Sequence, residues 1–207
     1  MKKLKLAKFL NIKGAVLDQN QLENYLEKIA SEHILQKNSN KDTYPIPRLD
    51  DNFKQITKTY DMLNSNLKMG INIHPAGEWL LDNYYILEET YKTIKKELSL
   101  EKYISFIGIQ NGEYKGFARI YVLANEIVGY TDGRIDGEIL QQLLKSYQNK
   151  KTLGMEEIWN ISVFLNISLI EKIRNVCDKV YFVQIQKYKV ESIIERLVEN
   201  KEDQDLV

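Results

Sequence analysis

Carboxylates are the first side chains to test for chemistry, because general acid–base catalysis and metal holding both draw on them. Glu78 and Asp82 stand four residues apart in a helical pattern and so share one face, the minimum arrangement for an acid and a base. That side of the helix is mostly charged and wet, which gives the two groups no reason to separate their pKa values. Asp203-Gln204-Asp205 has an Asp-x-Asp form that can hold a metal-bound nucleotide, but it lies in a charged tail and reads as a solvated acidic end. Asp132-Gly133-Arg134-Ile135-Asp136-Gly137 begins like a calcium loop. Its third position is Arg134 and its twelfth is Leu143, where oxygen ligands are required, so it reads as a turn between helices. The glycines at 108, 112 and 116 do not have the spacing of a dinucleotide fingerprint, and there is no phosphate-binding loop. With two histidines and one cysteine, a His-rich metal site and a disulfide framework are both unexpected. Cys177, with only Arg174 nearby to stabilise a thiolate, reads as a buried inert thiol. No catalytic residue, metal or cofactor is assigned.

The residues that remain as candidates for ligand contact or for polar ties between helices are Trp79, Asp82, Asn83, Arg119, Asp132 and Glu171. Asn83 falls in the middle of an apolar stripe, where an unpaired amide costs on the order of 1–3 kcal/mol. It is therefore expected to tie two helices together, with a ligand contact as the alternative. Trp79 and Trp159 each lie on an apolar face and read as core anchors before they read as sugar-stacking platforms.

These residues are positioned by helices. Leu22, Tyr25, Leu26, Ile29, His33 and Ile34 recur at helical spacing after Asp18. The polar run 37–42 and Tyr44-Pro45-Ile46-Pro47 then form the one linker-like stretch. A second helix runs from about Leu49 to Asn64. A third starts behind Pro75, which suits a first turn, and continues to about Leu98 with Ala76, Trp79, Leu80, Asn83, Leu87, Ile94 and Leu98 on one stripe. A Gly-punctuated connection leads to a fourth, about Phe117 to Tyr130, on which Arg119 and Glu126 share the side opposite the apolar cluster. Asp136 reads as the N-cap of a fifth helix. A sixth, from near Thr152, is apolar almost all round between Ile158 and Ile173 and has to be surrounded. A glycosylation reading of Asn160-Ile161-Ser162 and Asn166-Ile167-Ser168 is set aside for that reason. The last segment, Asp178 to Asn200, carries Val183, Val190, Ile194, Leu197 and Val198 at helical spacing, although Val180-Tyr181-Phe182-Val183 has strand-like composition. The pattern predicts an all-α fold, a bundle or array of about six to seven helices with short connections. It divides into residues 1–44 (basic segment, amphipathic helix and linker), a helical domain over 45–200, and a fraying tail over 201–207.

The chain has 207 residues with 29 basic against 29 acidic side chains and 43% hydrophobic letters, the composition of a globular unit. Balanced charge argues against nucleic acid as a partner, because phosphate neutralisation normally needs a basic excess. The basic N-terminus lacks the apolar run of a signal peptide. The stretch 158–170 falls short of the roughly 20 residues that span a bilayer, so no membrane span is expected in this chain.

Several segments, taken in order, carry a resemblance. His74-Pro75-Ala76-Gly77-Glu78-Trp79-Leu80-Leu81-Asp82-Asn83-Tyr84-Tyr85 resembles a "P-A-x-E-W-L-x-D-N-[FY]" segment near the N-terminus of the cyclic β-1,2-glucan synthases. Ala118-Arg119-Ile120-Tyr121 is similar to that family's "P-R-[VI]-[YF]", and Tyr130-Thr131-Asp132-Gly133-Arg134 to its "H-T-D-[GS]-R". Glu156-Glu157-Ile158-Trp159 resembles "G-E-L-W", and Leu169-Ile170-Glu171-Lys172-Ile173-Arg174 resembles "L-[IV]-E-N-L-R". The likeness covers roughly Leu49 to Val180. Ala118, Tyr130 and Lys172 depart from the family's proline, histidine and asparagine. The resemblance implies a very large inner-membrane enzyme that joins a UDP-glucose-dependent glucosyltransferase, membrane helices, a cyclising domain and a phosphorylase-like domain. It also implies that this chain corresponds to the N-terminal helical region, silent by itself and cytoplasmic. The partners to expect are the remainder of such a polypeptide or its membrane-bound transferase, with a free-standing β-1,2-glucan-binding or protein-interaction module as the alternative. If the other helices failed to cover Ile161, Phe164 and Ile167, those residues would form the patch for the missing partner.

Overall fold

Asp18 opens the first helix. Its carboxylate accepts from the Gln21 N–H at 2.9 Å, and the Gln21 side-chain oxygen accepts from the Asp18 N–H at 3.2 Å, so two orphan donors are satisfied reciprocally. The computed structural model describes residues 16–202. It orders them as α1 (Gln19–Glu32), β1 (Leu35–Gln36), a 3-10 turn (Lys41–Thr43), α2 (Ile46–Lys68), α3 (Pro75–Glu97), α4 (Leu100–Ser105), β2 (Gly108–Ile109), α5 (Arg119–Tyr130), α6 (Gly137–Gln148) and α7 (Met155–Glu202). The all-α class expected from the periodicity is the one observed, with a single two-stranded pair added. The basic segment at the N-terminus and Asp203-Gln204-Asp205 lie outside the described residues.

The chain falls into two compact units, the first comprising residues 16–50 and Glu89–Lys172, the second Asp51–Glu88 and 173–202. The chain passes between the units at 50/51, 88/89 and 172/173, none of them the 44/45 division drawn from the prolines. In the first unit, the stretch expected to be a linker is instead built into the fold. The Ser39 N–H donates to Phe106 O at 2.8 Å and the Asn40 N–H to Gly116 O at 2.7 Å. The Thr43 hydroxyl donates to Gly116 O and meets the Tyr103 hydroxyl, both at 2.9 Å. β1 pairs antiparallel with β2, Leu35 opposite Ile109 and Gln36 opposite Gly108. Gly108 is required there, since a Cβ would stand 2.7 Å from the Asn38 carbonyl oxygen. This pair was missed because two-residue strands carry no alternation to read.

The core of the first unit is aromatic and aliphatic. Phe164 meets Phe106 edge to face at 5.4 Å between ring centroids and Tyr121 at 5.7 Å, while Leu22, Leu26 and Leu143 are fully buried. Ile161, Phe164 and Ile167 are all buried, so these residues near the start of α7 form no exposed patch. The turn between α5 and α6 puts Asp132 and Gly133 in left-handed backbone, φ 55° and 75°, and the Gly133 N–H returns to Val128 O at 3.1 Å. Asp136 then caps α6, accepting from the Ile139 N–H at 2.8 Å.

In the second unit Ile56, Leu63, Leu80 and Leu87 are buried, and Tyr84 stacks on Tyr60 at 4.0 Å while sharing a 2.8 Å hydrogen bond with Thr57. The two final helices expected from the sequence are one, 48 residues long. Cys177, Tyr181, Gln184 and Tyr188 recur at helical spacing. Cys177 and Gln184 are buried, Tyr181 lies under the Lys58 ammonium and Tyr188 donates to Asn66. That 3.6-residue period overrides the β-propensity of 180–183.

Candidate functional site

Arg119 begins α5 and is 2% exposed. Its Nε donates to Glu157 Oε1 at 2.7 Å and its Nη2 to Glu157 Oε2 at 2.6 Å, a fork-on-fork pair, while Nη2 also donates to Thr152 O at 2.7 Å. Glu157, in the first turn of α7 and equally buried, takes a further hydrogen bond from the Gly154 N–H at 2.8 Å. Burial opposes the guanidinium charge, but the Glu157 hydrogen bond and charge outweigh it and hold the Arg119 pKa above its ordinary value. Sequence reasoning set Arg119 and Glu126 on the side of α5 away from the core. Both are buried, because that side of the helix is covered as well.

Glu126 accepts from the Tyr25 hydroxyl at 2.8 Å and the Tyr114 hydroxyl at 2.6 Å. Burial first, then the Glu126 charge, drives both tyrosine pKa values far upward, so both phenols stay protonated and donate. Glu126 was not among the expected site residues. Its only sequence signal is a lone acid among Ile120, Ala124, Ile127 and Val128, and its tyrosines are 101 and 12 residues away.

Glu171 receives the Arg48 guanidinium, with Nε at 3.0 and 2.7 Å from its two oxygens and Nη2 also bonded to Oε1. Asp132, exposed at its turn, pairs with the Lys172 ammonium. That hydrogen bond, followed by the lysine's charge, holds the Asp132 carboxyl below the usual range. Arg119, Asp132 and Glu171 are therefore inter-element polar ties within the first unit, each at its own place.

Trp79, Asp82 and Asn83 belong to the second unit. Trp79 is not a core anchor: it is 49% exposed and lines an apolar groove of about 230 Å³ with Ala76, Leu80, Ile173, Val176, Cys177 and Val180. Trp159, the other expected anchor, is 71% exposed on the first unit. Both errors have one cause, since periodicity tells which face of a helix is apolar and not whether a neighbour reaches it. Asn83 does not tie two helices together. Its Nδ2 donates to Trp79 O at 2.8 Å, one turn back on its own helix. Glu78 and Asp82 are exposed, as their charged surroundings predict. At the floor of the groove, burial first and then the Asp178 charge push the Cys177 thiol up to about 12, so it is un-ionised near neutrality and a poor nucleophile.

Among the described residues no group of three or more His, Cys, Asp and Glu side chains could hold a metal ion, and no helix is long and apolar enough to cross a membrane. Arg119, Asp132 and Glu171 close on protein partners, and the groove beside Trp79 is lined by apolar side chains.

A helical scaffold with a clasped charge core and a greasy cleft is the class of structure that these sites define. No family model matches the chain. Over 149 residues, 72% of its length, it is 25% identical to the cyclic beta-(1,2)-glucan synthase NdvB of Rhizobium meliloti (strain 1021). The chain spans only about a twentieth of that relative, 5% of its length.

Proposed function

We propose that the chain is a non-catalytic helical module acting in cyclic β-1,2-glucan synthesis, where it supports or positions a glucosyltransferase on the cytoplasmic side of the membrane as a piece or short relative of a cyclic β-1,2-glucan synthase. The observation that carries this reading is that Arg119, Asp132 and Glu171, charged letters of the resembling motifs, are each held by a protein partner. Arg119 of Ala118-Arg119-Ile120-Tyr121 is taken by Glu157 of Glu156-Glu157-Ile158-Trp159. Asp132 of Tyr130-Thr131-Asp132-Gly133-Arg134 is taken by Lys172 of the segment Leu169 to Arg174, whose Glu171 is taken by Arg48. Motifs used in this way build a shape, and a shape serves a neighbour. The likeness to NdvB supplies the glucan context.

The test replaces the matching stretch of NdvB with this chain and measures cyclic glucan made by the membranes. Product is expected to require the inserted chain and to fall with Arg119→Met. Glucosyl transfer from UDP-glucose by the isolated chain, or full synthesis by NdvB lacking the stretch, would overturn the reading.

The exposed ring of Trp79 favours one alternative, a β-glucan-binding module in which a sugar face stacks in the groove. A lining of hydrocarbon offers sugar hydroxyls few partners, which ranks it second. A saturable fluorescence change with linear β-1,2-glucooligosaccharides, lost in Trp79→Ala and kept in Trp159→Ala, would promote it.

A further inference from the structure

Asn111-Gly112 is the one asparagine–glycine pair in the chain. Asparagine is thermolabile because the backbone nitrogen of the next residue can attack its side-chain carbon, and a following glycine hinders that attack least. Gly112 is exposed and in left-handed backbone, φ 64°, and a Cβ built on it would meet nothing within 4 Å. Among the described residues none accepts its N–H. The nucleophile is therefore open to solvent.

The target is held. Asn111 Nδ2 donates to Glu32 O at 2.8 Å and Asn111 Oδ1 accepts from the Ile34 N–H at 2.7 Å, so one carboxamide grips the backbone on both sides of His33. Glu32 is the last residue of α1, whose final carbonyls have no partner within the helix. Its carbonyl is capped instead from 79 residues away. Beside it the Gln110 N–H donates to Ile34 O at 2.7 Å, so these bonds carry the β1–β2 pair up to the end of the helix.

We infer that Asn111 is a site of spontaneous deamidation, and that its conversion to a carboxylate unfastens the end of α1 from the chain after β2. The Gly112 nitrogen gives its proton to solvent and bonds to Asn111 Cγ. The Cγ–Nδ2 bond then breaks, and the amide takes a proton and leaves as ammonia. Water opens the resulting five-membered imide. Cleavage of the bond from Gly112 N to Cγ gives aspartate, and cleavage of the bond from Gly112 N to the Asn111 carbonyl carbon gives isoaspartate. The net change is one water consumed and one ammonia released. Both products lack the donor that caps Glu32 O. The aspartate sets a negative charge against that oxygen, at the negative end of the α1 dipole. The two hydrogen bonds also slow the reaction, because Nδ2 has to leave Glu32 O before Cγ can turn to Gly112.

The test holds the full chain in mildly alkaline buffer at body temperature and follows each asparagine by peptide mass mapping. Asn111 is expected to convert before every other asparagine, and faster still in urea, where the grip on Glu32 O is gone. Converted chains carry one more negative charge and separate by anion exchange. Their urea midpoint is expected to fall, with an unfolding equilibrium constant about tenfold higher, from the lost hydrogen bond and the carboxylate at the helix end together. Asn111→Asp, prepared without ageing, should reproduce that loss. An Asn111 that outlasts the other asparagines, an equal rate in folded and urea-unfolded chain, or an Asn111→Asp chain as stable as wild type would each overturn the inference.

Discussion

The two units spend their difficult residues in opposite ways. The first buries charge and pairs it: Arg119 on Glu157, with the arginine Nη1 left without a hydrogen-bond partner, and Glu126 under two tyrosine hydroxyls. The second buries little charge and leaves hydrocarbon uncovered, in the groove beside Trp79 and at Phe182, Val183, Val190, Ile193 and Ile194. A paired polar core favours one arrangement of helices, whereas an open apolar surface is useful only to something that covers it. The contrast assigns internal order to the first unit and outward contact to the second.

The sharpest way to break that contrast is to open the dry clasp. Arg119→Met strands a buried carboxylate and is expected to cost about 3–5 kcal/mol, read as a lower urea midpoint. Arg119→Met with Glu157→Leu should recover most of the loss, because it removes the stranded charge. A single variant as stable as wild type would mean that the pair is not desolvated.

A smaller effect should follow from acid. The His33 ring, with Nδ1 3.1 Å from the Tyr147 hydroxyl, has its pKa held below the ordinary 6.5 by burial, with the Glu126 charge opposing and Arg119 adding to the depression. The unfolded chain therefore takes up a proton that the folded chain refuses. Stability contributed by neutral His33 is present above pH 6.5 and is lost as pH falls below it. Urea midpoints from pH 7.5 to 5 should fall less steeply for His33→Gln than for wild type. Equal slopes would remove His33 from the account.

The smallest expected effect concerns the exposed tryptophan of the first unit. Trp159→Ala should shift stability by no more than about 0.5 kcal/mol, as surface changes usually do. A multi-kcal loss in the same urea titration would restore Trp159 to the core and blur the distinction between the units.

Most of the helices were legible because each declares itself locally. Asp136 caps where it was expected to, the first helix opens at Asp18 where its spacing begins, and the stripe holding Leu80, Leu87 and Ile94 has the period of the helix that buries it. The candidate sites were less legible because their partners are distant. Glu157 is 38 residues from Arg119, and Arg48 is 123 from Glu171, so nothing near either acid announces its cation. The last segment was expected to start afresh at Asp178, yet α7 runs through that position, with Arg174 and Asp178 paired at 3.0 Å one turn apart. Asn83 misled for a related reason: a single amide on an apolar stripe looks like a tie until its own helix is seen to supply the acceptor.

The clasp between Arg119 and Glu157 also constrains how this chain can drift in evolution. Neither letter can be exchanged alone without stranding the other, so the two should vanish together or persist together. Joint retention of an arginine opening one helix and a glutamate in the first turn of another is thus a marker by which remoter versions of the scaffold can be traced after the surrounding letters have changed.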